Sequence, residues 1–287
     1  MPYGHFNLTL LEKTQSSSLE IIASPLGEQG RLPEKFVNSL LDFSKNFSEN
    51  IQQNSFLFLV ENFKSARKLF LAHGISKEFF QYFELFSEHQ QNDQKYIQEL
   101  VGRLKIKSKH SKKLKAYLIS ESGVATFCDP GQLLILECHR ASVPVLFSDF
   151  SNSLIWALAL SGFPCPPFYF WGFLPRQTQE REIFWKNITK QETFTKKNVK
   201  TIAFMETPYR SSKICEEILK QIFFLKKNGE PVHRFSYFFA YNAQTEKEGY
   251  SYCLSTPSLT LEEYQTFFET LHRNLEKSPC VFLLTII

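Results

Sequence analysis

AYLISESGVATFCDPG, residues Ala116 to Gly131, decides how the rest of the chain is read. Its first five residues, Ala116-Tyr-Leu-Ile-Ser120, form a short apolar run with aromatic and β-branched members, which predicts a buried strand. The run stops at Glu121-Ser-Gly123, where small residues let the backbone turn sharply and let a ligand come close to it. Asp129-Pro130-Gly131 then precedes Gln132-Leu-Leu-Ile-Leu-Glu-Cys-His139, which predicts a helix with Asp129 as its N-cap and Pro130 as its first residue. The unit is strand, glycine-bearing loop, helix. In an open α/β sheet such a loop sits at the carboxyl end of its strand, where ligands of these sheets bind. Many such loops only connect, so the loop reads two ways until the rest of the chain is considered.

The chain has 287 residues, enough for two ordinary domains or one large one. It is 43% hydrophobic and 22% charged, a balance that supports packed cores and excludes a disordered chain. No apolar run reaches the roughly 18–20 residues of a membrane helix, and the first twenty residues lack the basic start and apolar stretch of a secretory signal. The six cysteines (128, 138, 165, 215, 253 and 280) show no CxxC or close Cys/His spacing. They read as reduced, mostly buried thiols of a cytoplasmic protein without a metal site. A net charge of +4 is not in itself a nucleic-acid signature. Two biases stand out: 30 phenylalanines, and only 11 glycines where ordinary usage of about 7% would give nearly twice as many. A chain that uses so little glycine keeps it chiefly where geometry demands it.

Residues 1–18 read as an irregular extension. Leu19–Ser24 predicts a strand and Pro25–Gly30 a turn-rich loop. Phe36, Leu40, Leu41 and Phe43 mark an amphipathic helix, and Ser55–Val60 a second strand ended by Glu61-Asn62. Lys64–His73 is helical up to Gly74, with further helical stretches near 76–87 and 91–104. Pro144–Phe147 is a fourth strand and Ser151–Ser161 a helix ended by Gly162. Strand alternating with helix argues for a parallel sheet. Cys165-Pro-Pro167 interrupts the pattern and marks a boundary between domains spanning 19–168 and 169–287. The second half predicts a helix (177–190), a strand (201–205), a helix (210–226), strands near 234–241 and 248–253, a helix (259–275) and a strand (280–286), an α/β domain with antiparallel pairing. Lys105, Lys107, Lys109, Lys112, Lys113 and Lys115, preceded by Arg103, form a basic run without acids. It reads either as a phosphate-backbone contact or as a solvated linker; no aromatic residues are interleaved to stack on bases.

Four stretches in order resemble the tetrapyrrole (corrin/porphyrin) methylase superfamily, most nearly the branch with the small-subunit ribosomal RNA cytidine 2′-O-methyltransferases. Ala23-Ser-Pro-Leu-Gly27 is similar to that branch's Pro-x-Pro-x-Gly turn. Ile119–Gly131 resembles its Ser-Asp-Ala-Gly-Thr-Pro-x-x-x-Asp-Pro-Gly loop. Gly172-Phe-Leu-Pro175, followed by Arg181, resembles its Gly-Phe-Leu-Pro crossover, and Phe204-Met-Glu-Thr-Pro-Tyr-Arg210 its Phe-x-Glu-Ser-Pro-x-Arg motif. The resemblance implies two α/β domains with S-adenosylmethionine in the cleft between them, and a homodimer. Carried over by position, it implies cofactor contacts at Pro25, Glu121, Ser122, Gly123, Val124, Phe127, Asn152, Ser153, Glu206 and Ala243. Asn152 and Ser153 are good helix-start residues in any case, and Phe127 is one of many phenylalanines.

The departures are as informative. The branch's Ala-Glu-Asp-Thr-Arg is here Val60-Glu-Asn-Phe-Lys64, its Pro-Gly-Pro is Asp149-Phe-Ser151, and its Arg-Glu-Leu-Thr-Lys is Tyr241-Asn-Ala-Gln-Thr245. The chain therefore resembles a diverged paralogue in which cofactor-loop geometry is partly kept and charged residues facing RNA are largely replaced. Glu61 and Glu206 are the carboxylates that could act as a base; Lys64, Tyr209 and Arg210 could orient an anionic substrate, with ribosomal RNA the partner the resemblance suggests. A sulfonium methyl donor carries its own leaving group, so such a protein mainly positions the reactants and excludes water. Two rivals remain: a non-catalytic, methylase-like binding module, and a methylase of a tetrapyrrole or other small molecule.

Overall fold

The computed structural model describes residues 2–8, 17–27, 30–45, 47, 54–105, 113–147, 150, 152–189, 200–231 and 235–286. Lys107, Lys109 and Lys112 of the basic run, and Asp149 and Ser151, lie outside them. The chain forms two units, one of Leu11–Gly162 and one of Met1–Leu10 with Phe163–Ile287.

The apolar runs of the first unit become one parallel sheet. After β1 (Tyr3–Asn7), which belongs to the other unit, come β2 (Ser18–Ile22), β3 (Asn54–Val60), β4 (Phe83–Leu85), β5 (Lys113–Ile119) and β6 (Val145–Leu146), in the order β4-β3-β5-β2-β6. Central β3 and β5 bury Phe56 through Val60 and Ala116 through Ile119 without alternation, as strands covered on both faces do. The helices between them are α1 (Glu34–Lys45), α2 (Phe63–Ala72), the short α3 (Glu88–Gln91), α4 (Gln94–Lys105), α5 (Gln132–Arg140) and α6 (Ser153–Ser161). Much of the phenylalanine goes into edge-to-face pairs: Phe43 on Phe56 at 4.6 Å, Phe56 on Phe79 at 5.2 Å and Phe58 on Phe70 at 5.3 Å. Each such pair contributes about 0.5–1.5 kcal/mol beyond the area it buries.

Two local expectations change. The helix expected near 76–87 is a 3₁₀ turn (Lys77–Tyr82) followed by β4, because Phe79 and Phe83 pack against Phe58 and only an extended chain lets Phe83–Leu85 pair with Phe58–Val60. Asp129 and Pro130 do not start α5. Its N-cap is Gly131, at φ +135°, where a Cβ would meet Leu118 at 2.7 Å and Thr126 at 2.8 Å. Residues 125–130 form a turn instead, closed by Thr126 N–H donating to Pro130 O at 3.2 Å. Asn152 caps α6, its Oδ1 accepting from Leu154 N at 2.9 Å and Ile155 N at 3.1 Å, and Gly162 ends it at φ +67°.

His139 of α5 is fully buried, with Nε2 2.6 Å from Leu160 O. Burial pushes its pKa down to about 4, outweighing the carbonyl hydrogen bond, which acts the other way. The unfolded chain therefore binds a proton near pH 6.5 that the folded chain refuses until about pH 4. Stability falls as pH drops through this window, with a slope approaching about 1.4 kcal/mol per pH unit. Urea denaturation at pH 7.5 and 4.5 should show this loss in the wild type and a smaller one in His139→Phe. An equal loss in both would assign the acid sensitivity elsewhere.

The second unit is built on the mixed sheet β1-β10-β9-β11-β8-β7, with β7 (Phe168–Phe173), β8 (Thr201–Glu206), β9 (Ser236–Tyr241), β10 (Gly249–Cys253) and β11 (Cys280–Thr285). Only β7 and β8 pair in parallel. Helices α7 (Thr178–Thr189), α8 (Ser211–Lys227) and α9 (Leu261–Asn274) belong to it. The start of the chain is not irregular throughout: Tyr3–Asn7 pairs antiparallel with Gly249–Cys253 and covers the edge that β10 would otherwise expose. Strand-forming Tyr3 and Phe6 gave a weak signal, masked by Gly4. The aromatic stretch read as an extended crossover is β7, which pairs with β8 through a bulge between Phe170 and Gly172. All six cysteines are thiols outside any disulfide, Cys128 exposed and the others buried. Among the described residues no helix is long and apolar enough to cross a membrane, and no three His, Cys, Asp or Glu could share a metal.

Candidate active site

The carboxyl ends of β2, β3 and β5 lie side by side, and the loops leaving them surround a cavity of about 350 Å³. Pro25, Gly27 and Gly30 come from the loop after β2, Glu61, Asn62, Ser65 and Lys68 from the turn and helix after β3, and Ser120, Glu121 and Ser122 from the loop after β5. The cavity therefore lies beside the loop that the strand-loop-helix reading singles out.

Backbone hydrogen bonds fix its shape. Gly123, at φ +77°, turns both of its peptide groups onto Ser24: Gly123 N donates to Ser24 O at 3.1 Å and Ser24 N to Gly123 O at 2.7 Å. Ser24 Oγ donates to Ser120 O at 2.6 Å, and Ser122 Oγ to Pro25 O at 3.3 Å. The loops after β2 and β5 thus form one stitched wall. The Gly123 N–H is spent on this stitching, which sequence alone could not show. A Cβ at Gly123 would meet only Leu26 Cδ2, at 3.6 Å, so the glycine has open space beside it.

On the opposite wall, Asn62 Oδ1 caps α2 by accepting from Lys64 N at 2.8 Å and Ser65 N at 3.3 Å. Glu61 Oε2 accepts from Glu121 N at 3.0 Å, and Ser65 Oγ donates to Glu121 Oε1 at 2.5 Å. Glu61 and Glu121 therefore stand together across the two loops, both on the cavity. His73, at the end of α2, closes the perimeter. Its Nε2 accepts from Leu32 N at 2.9 Å, so the proton lies on Nδ1, which faces Leu69 O at 2.8 Å. This neutral ring pins the far end of the Pro25–Leu32 loop to α2.

Asp129 was read as a helix cap, but its carboxyl belongs to this neighbourhood. Burial raises its pKa and the charge of Glu61 raises it further, against a hydrogen bond with Ser120. A carboxyl whose pKa is raised by burial and by a neighbouring carboxylate is a usual means of handling a proton. The only sequence signal for it was an acid in a glycine-bearing loop.

Of the residues nominated from sequence, Pro25, Glu61, Glu121 and Ser122 line the cavity. Gly123 sits just behind its wall, and Val124 and half-buried Phe127 continue the loop, joined by Phe127 N donating to Val124 O at 3.1 Å. Lys64 is exposed on α2. Asn152 is occupied as a cap, with Ser153 the first residue of α6. Half-buried Ala243 lies in the β9–β10 turn.

Glu206, Tyr209 and Arg210 belong to the second unit and form a different kind of cluster. The Glu206 side chain is 1% exposed, and its Oε1 accepts from Thr207 N at 2.7 Å and from Arg210 Nε at 2.9 Å and Nη2 at 2.6 Å. Its Oε2 is buried with no hydrogen-bond partner among the described residues. Arg210 also donates to the Leu174 and Pro175 carbonyls, both at 3.4 Å. Arg181 donates to Pro175 O at 3.1 Å, Arg176 O at 2.7 Å and Glu217 Oε1 at 2.9 Å, while Trp185 Nε1 donates to Glu217 Oε2 at 2.8 Å. The two motifs of the second half, Gly172–Pro175 and Phe204–Arg210, are thus held to each other. Arg210 is engaged in that clamp, while Tyr209 is 82% exposed.

No family model matches the sequence. The chain is similar to proteins named ribosomal RNA small subunit methyltransferase I. It is 28% identical to that of Vibrio cholerae over 200 residues, 70% of this chain and 58% of the relative. It is 32% identical to that of Thermotoga maritima over 138 residues, 48% of this chain and 56% of the relative. The chain thus spans less than two thirds of the length of these relatives. Among solved structures, a uroporphyrin-III C-methyltransferase of Thermus thermophilus complexed with S-adenosylhomocysteine aligns over 94% of this chain and 97% of its own. Its identity is 14% and its TM-score 0.26, too loose a likeness to carry an argument. These similarities bear out the resemblance read from the four motifs: the chain is similar in sequence to small-subunit ribosomal RNA methyltransferases.

Proposed function

We propose that this relative of the small-subunit ribosomal RNA methyltransferases is an S-adenosylmethionine-dependent methyltransferase whose acceptor is an RNA hydroxyl. The observation that carries the reading is the stitched wall at Ser24 and Gly123. It presents open space beside a left-handed glycine on one side and a carboxylate-lined cavity on the other. Space beside Gly123 fits the close approach of a cofactor to backbone, with Val124 and Phe127 continuing that side. The cofactor supplies an activated methyl group and its own leaving group. The protein's share is to seat the acceptor in the cavity, exclude water and take one proton from the hydroxyl. Asp129 suits that last task, because a carboxylate with a raised pKa is a better general base than an ordinary one, and Glu61 stands beside it on the cavity. Ser65 and the Glu121 N–H keep Glu121 and Glu61 in place. Cytoplasmic residence and a homodimer complete the proposal, and sedimentation tests the dimer.

Calorimetric titration of the full chain with S-adenosylmethionine and S-adenosylhomocysteine tests the first part. Transfer of labelled methyl groups to small-subunit ribosomal RNA tests the second. Absence of cofactor binding at high micromolar concentration would sink the reading in favour of a degenerate binding module. Asp129→Asn should leave cofactor affinity within a factor of about two while lowering the methyl-transfer rate about 10²-fold or more. An unchanged rate would remove Asp129 from proton handling.

A further inference from the structure

We infer that the outer face of α2 is a track for the phosphate backbone of single-stranded RNA, holding one unpaired nucleotide over the cavity. The inference rests on the proposal that RNA supplies the methyl acceptor, and it assigns the surface that recognises it.

The helix reads FKSARKLFLA: three cations, Lys64, Arg67 and Lys68, and no acid. At spacings of three and four they share one face, about 5–6 Å apart at Cβ, and all three are exposed. Lys64 lies in the first turn, where the helix dipole favours anions and a cation costs stability. Among the described residues neither Lys64 nor Arg67 has a carboxylate within ion-pair distance. Among the described residues no ion pair repays that placement; an external anion would.

Aromatic side chains are interleaved with these cations, as they are not in the basic run at 103–115. The Arg67 guanidinium lies 5.7 Å from the Phe63 ring centre and 5.8 Å from that of Phe80, which holds it in place. Phe63 is 38% exposed, Leu71 46% and Leu26 87%, so the cavity's surround offers apolar surface between its charges. Cations along a groove with exposed rings for the bases are the elements of single-strand binding.

Charge also sets direction. The carboxylates Glu61 and Glu121 face the cavity, and the cations of α2 stand outside it, with Lys68 at its margin. A phosphate is held at the rim and repelled from the interior, so the part of the nucleotide that enters is the sugar and base. A cavity of about 350 Å³ lies at the small end of ligand pockets, enough for one such group. A paired nucleotide cannot leave its duplex for it without paying unstacking energy, so the track selects unpaired RNA.

Fluorescence anisotropy of the full chain with a labelled, unstructured oligoribonucleotide of about 15 residues tests this. The wild type should bind it at least about 10-fold tighter than the same sequence in a duplex. The triple variant Lys64→Ser/Arg67→Ser/Lys68→Ser should weaken binding about 10-fold or more and reduce the slope of log affinity against log salt by about 2, at roughly 0.7 per phosphate. It should still melt cooperatively, and its cofactor titration should be unchanged. Phe63→Ala should weaken binding about 5-fold or more without altering the slope. An unchanged slope in the triple variant, equal binding of duplex, or equal binding of polyglutamate would overturn the inference. A wild type that binds RNA in this manner but takes no S-adenosylmethionine would leave the track standing and remove the methyltransferase reading.

Discussion

Replacing Arg210 with alanine should destabilise the mixed-sheet unit by about 3–5 kcal/mol, the cost of leaving one member of a buried ion pair without its partner. Glu206 is almost wholly enclosed, and Arg210, 26% exposed, gives its Oε1 two charge-assisted hydrogen bonds, at 2.9 and 2.6 Å. The Glu206 Oε2 already lacks a partner among the described residues, so the carboxylate has little else to fall back on. In thermal unfolding, at about 2–4 °C per kcal/mol for a unit of this size, the midpoint should fall by roughly 10 °C. Both residues belong to the mixed-sheet unit, so the loss should fall on the unfolding of that sheet. A double change, Glu206→Leu with Arg210→Met, should recover much of the loss, since apolar isosteres of buried ion pairs are often as stable as the pair. A substrate-orienting arginine behaves otherwise: its removal weakens binding and leaves the midpoint in place. That outcome would restore the role expected of Arg210 from sequence.

The architecture was legible because its signals are periodic or compositional. The runs at Leu57–Val60 and Ala116–Ile119 could hardly be anything but strands covered on both faces, and Gly162 ends its helix where the pattern does. The errors share a cause. Tyr3–Asn7 becomes a strand through its partner at Gly249–Cys253, almost the whole chain away, and Phe83–Leu85 through Phe58–Val60. Such long-range pairing leaves little local trace. Asp129-Pro130 had every local mark of a helix start, but Gly131, at φ +135° and packed too closely for a Cβ, takes the cap position instead. At the site, residue types were readable and commitments were not. Sequence nominated Glu61, Glu121, Ser122 and Gly123, yet could not show that the Gly123 N–H belongs to Ser24, that Asn152 is a cap, or that Arg210 clamps two motifs together. The interleaving of Phe63 with Lys64, Arg67 and Lys68 was in plain view. The lysine run at 105–115 is denser and so gives the stronger local signal for phosphate contacts.

Replacing Gly123 with valine should abolish S-adenosylmethionine binding in a protein that still melts cooperatively. Two costs must be kept apart. Gly123 has φ +77°, a conformation that a β-branched residue adopts only under strain of about 1–3 kcal/mol. The protein itself raises no steric objection, because a Cβ here would touch only Leu26 Cδ2, at the ordinary distance of 3.6 Å. The fold should therefore survive with a modest loss, while the side chain occupies the space left open beside the loop. Gly123→Asn separates the effects, since asparagine tolerates the left-handed region and fills a similar volume. Its melting midpoint should lie closer to wild type than that of Gly123→Val, and its cofactor affinity should be just as poor. Lys220→Ser, on the exposed side of α8, serves as the control that leaves both unchanged. If the asparagine variant bound like wild type and the valine variant did not, backbone strain would explain the loss and the ligand would not lie against this glycine. If both bound normally, the cofactor would have to be sought elsewhere on the chain.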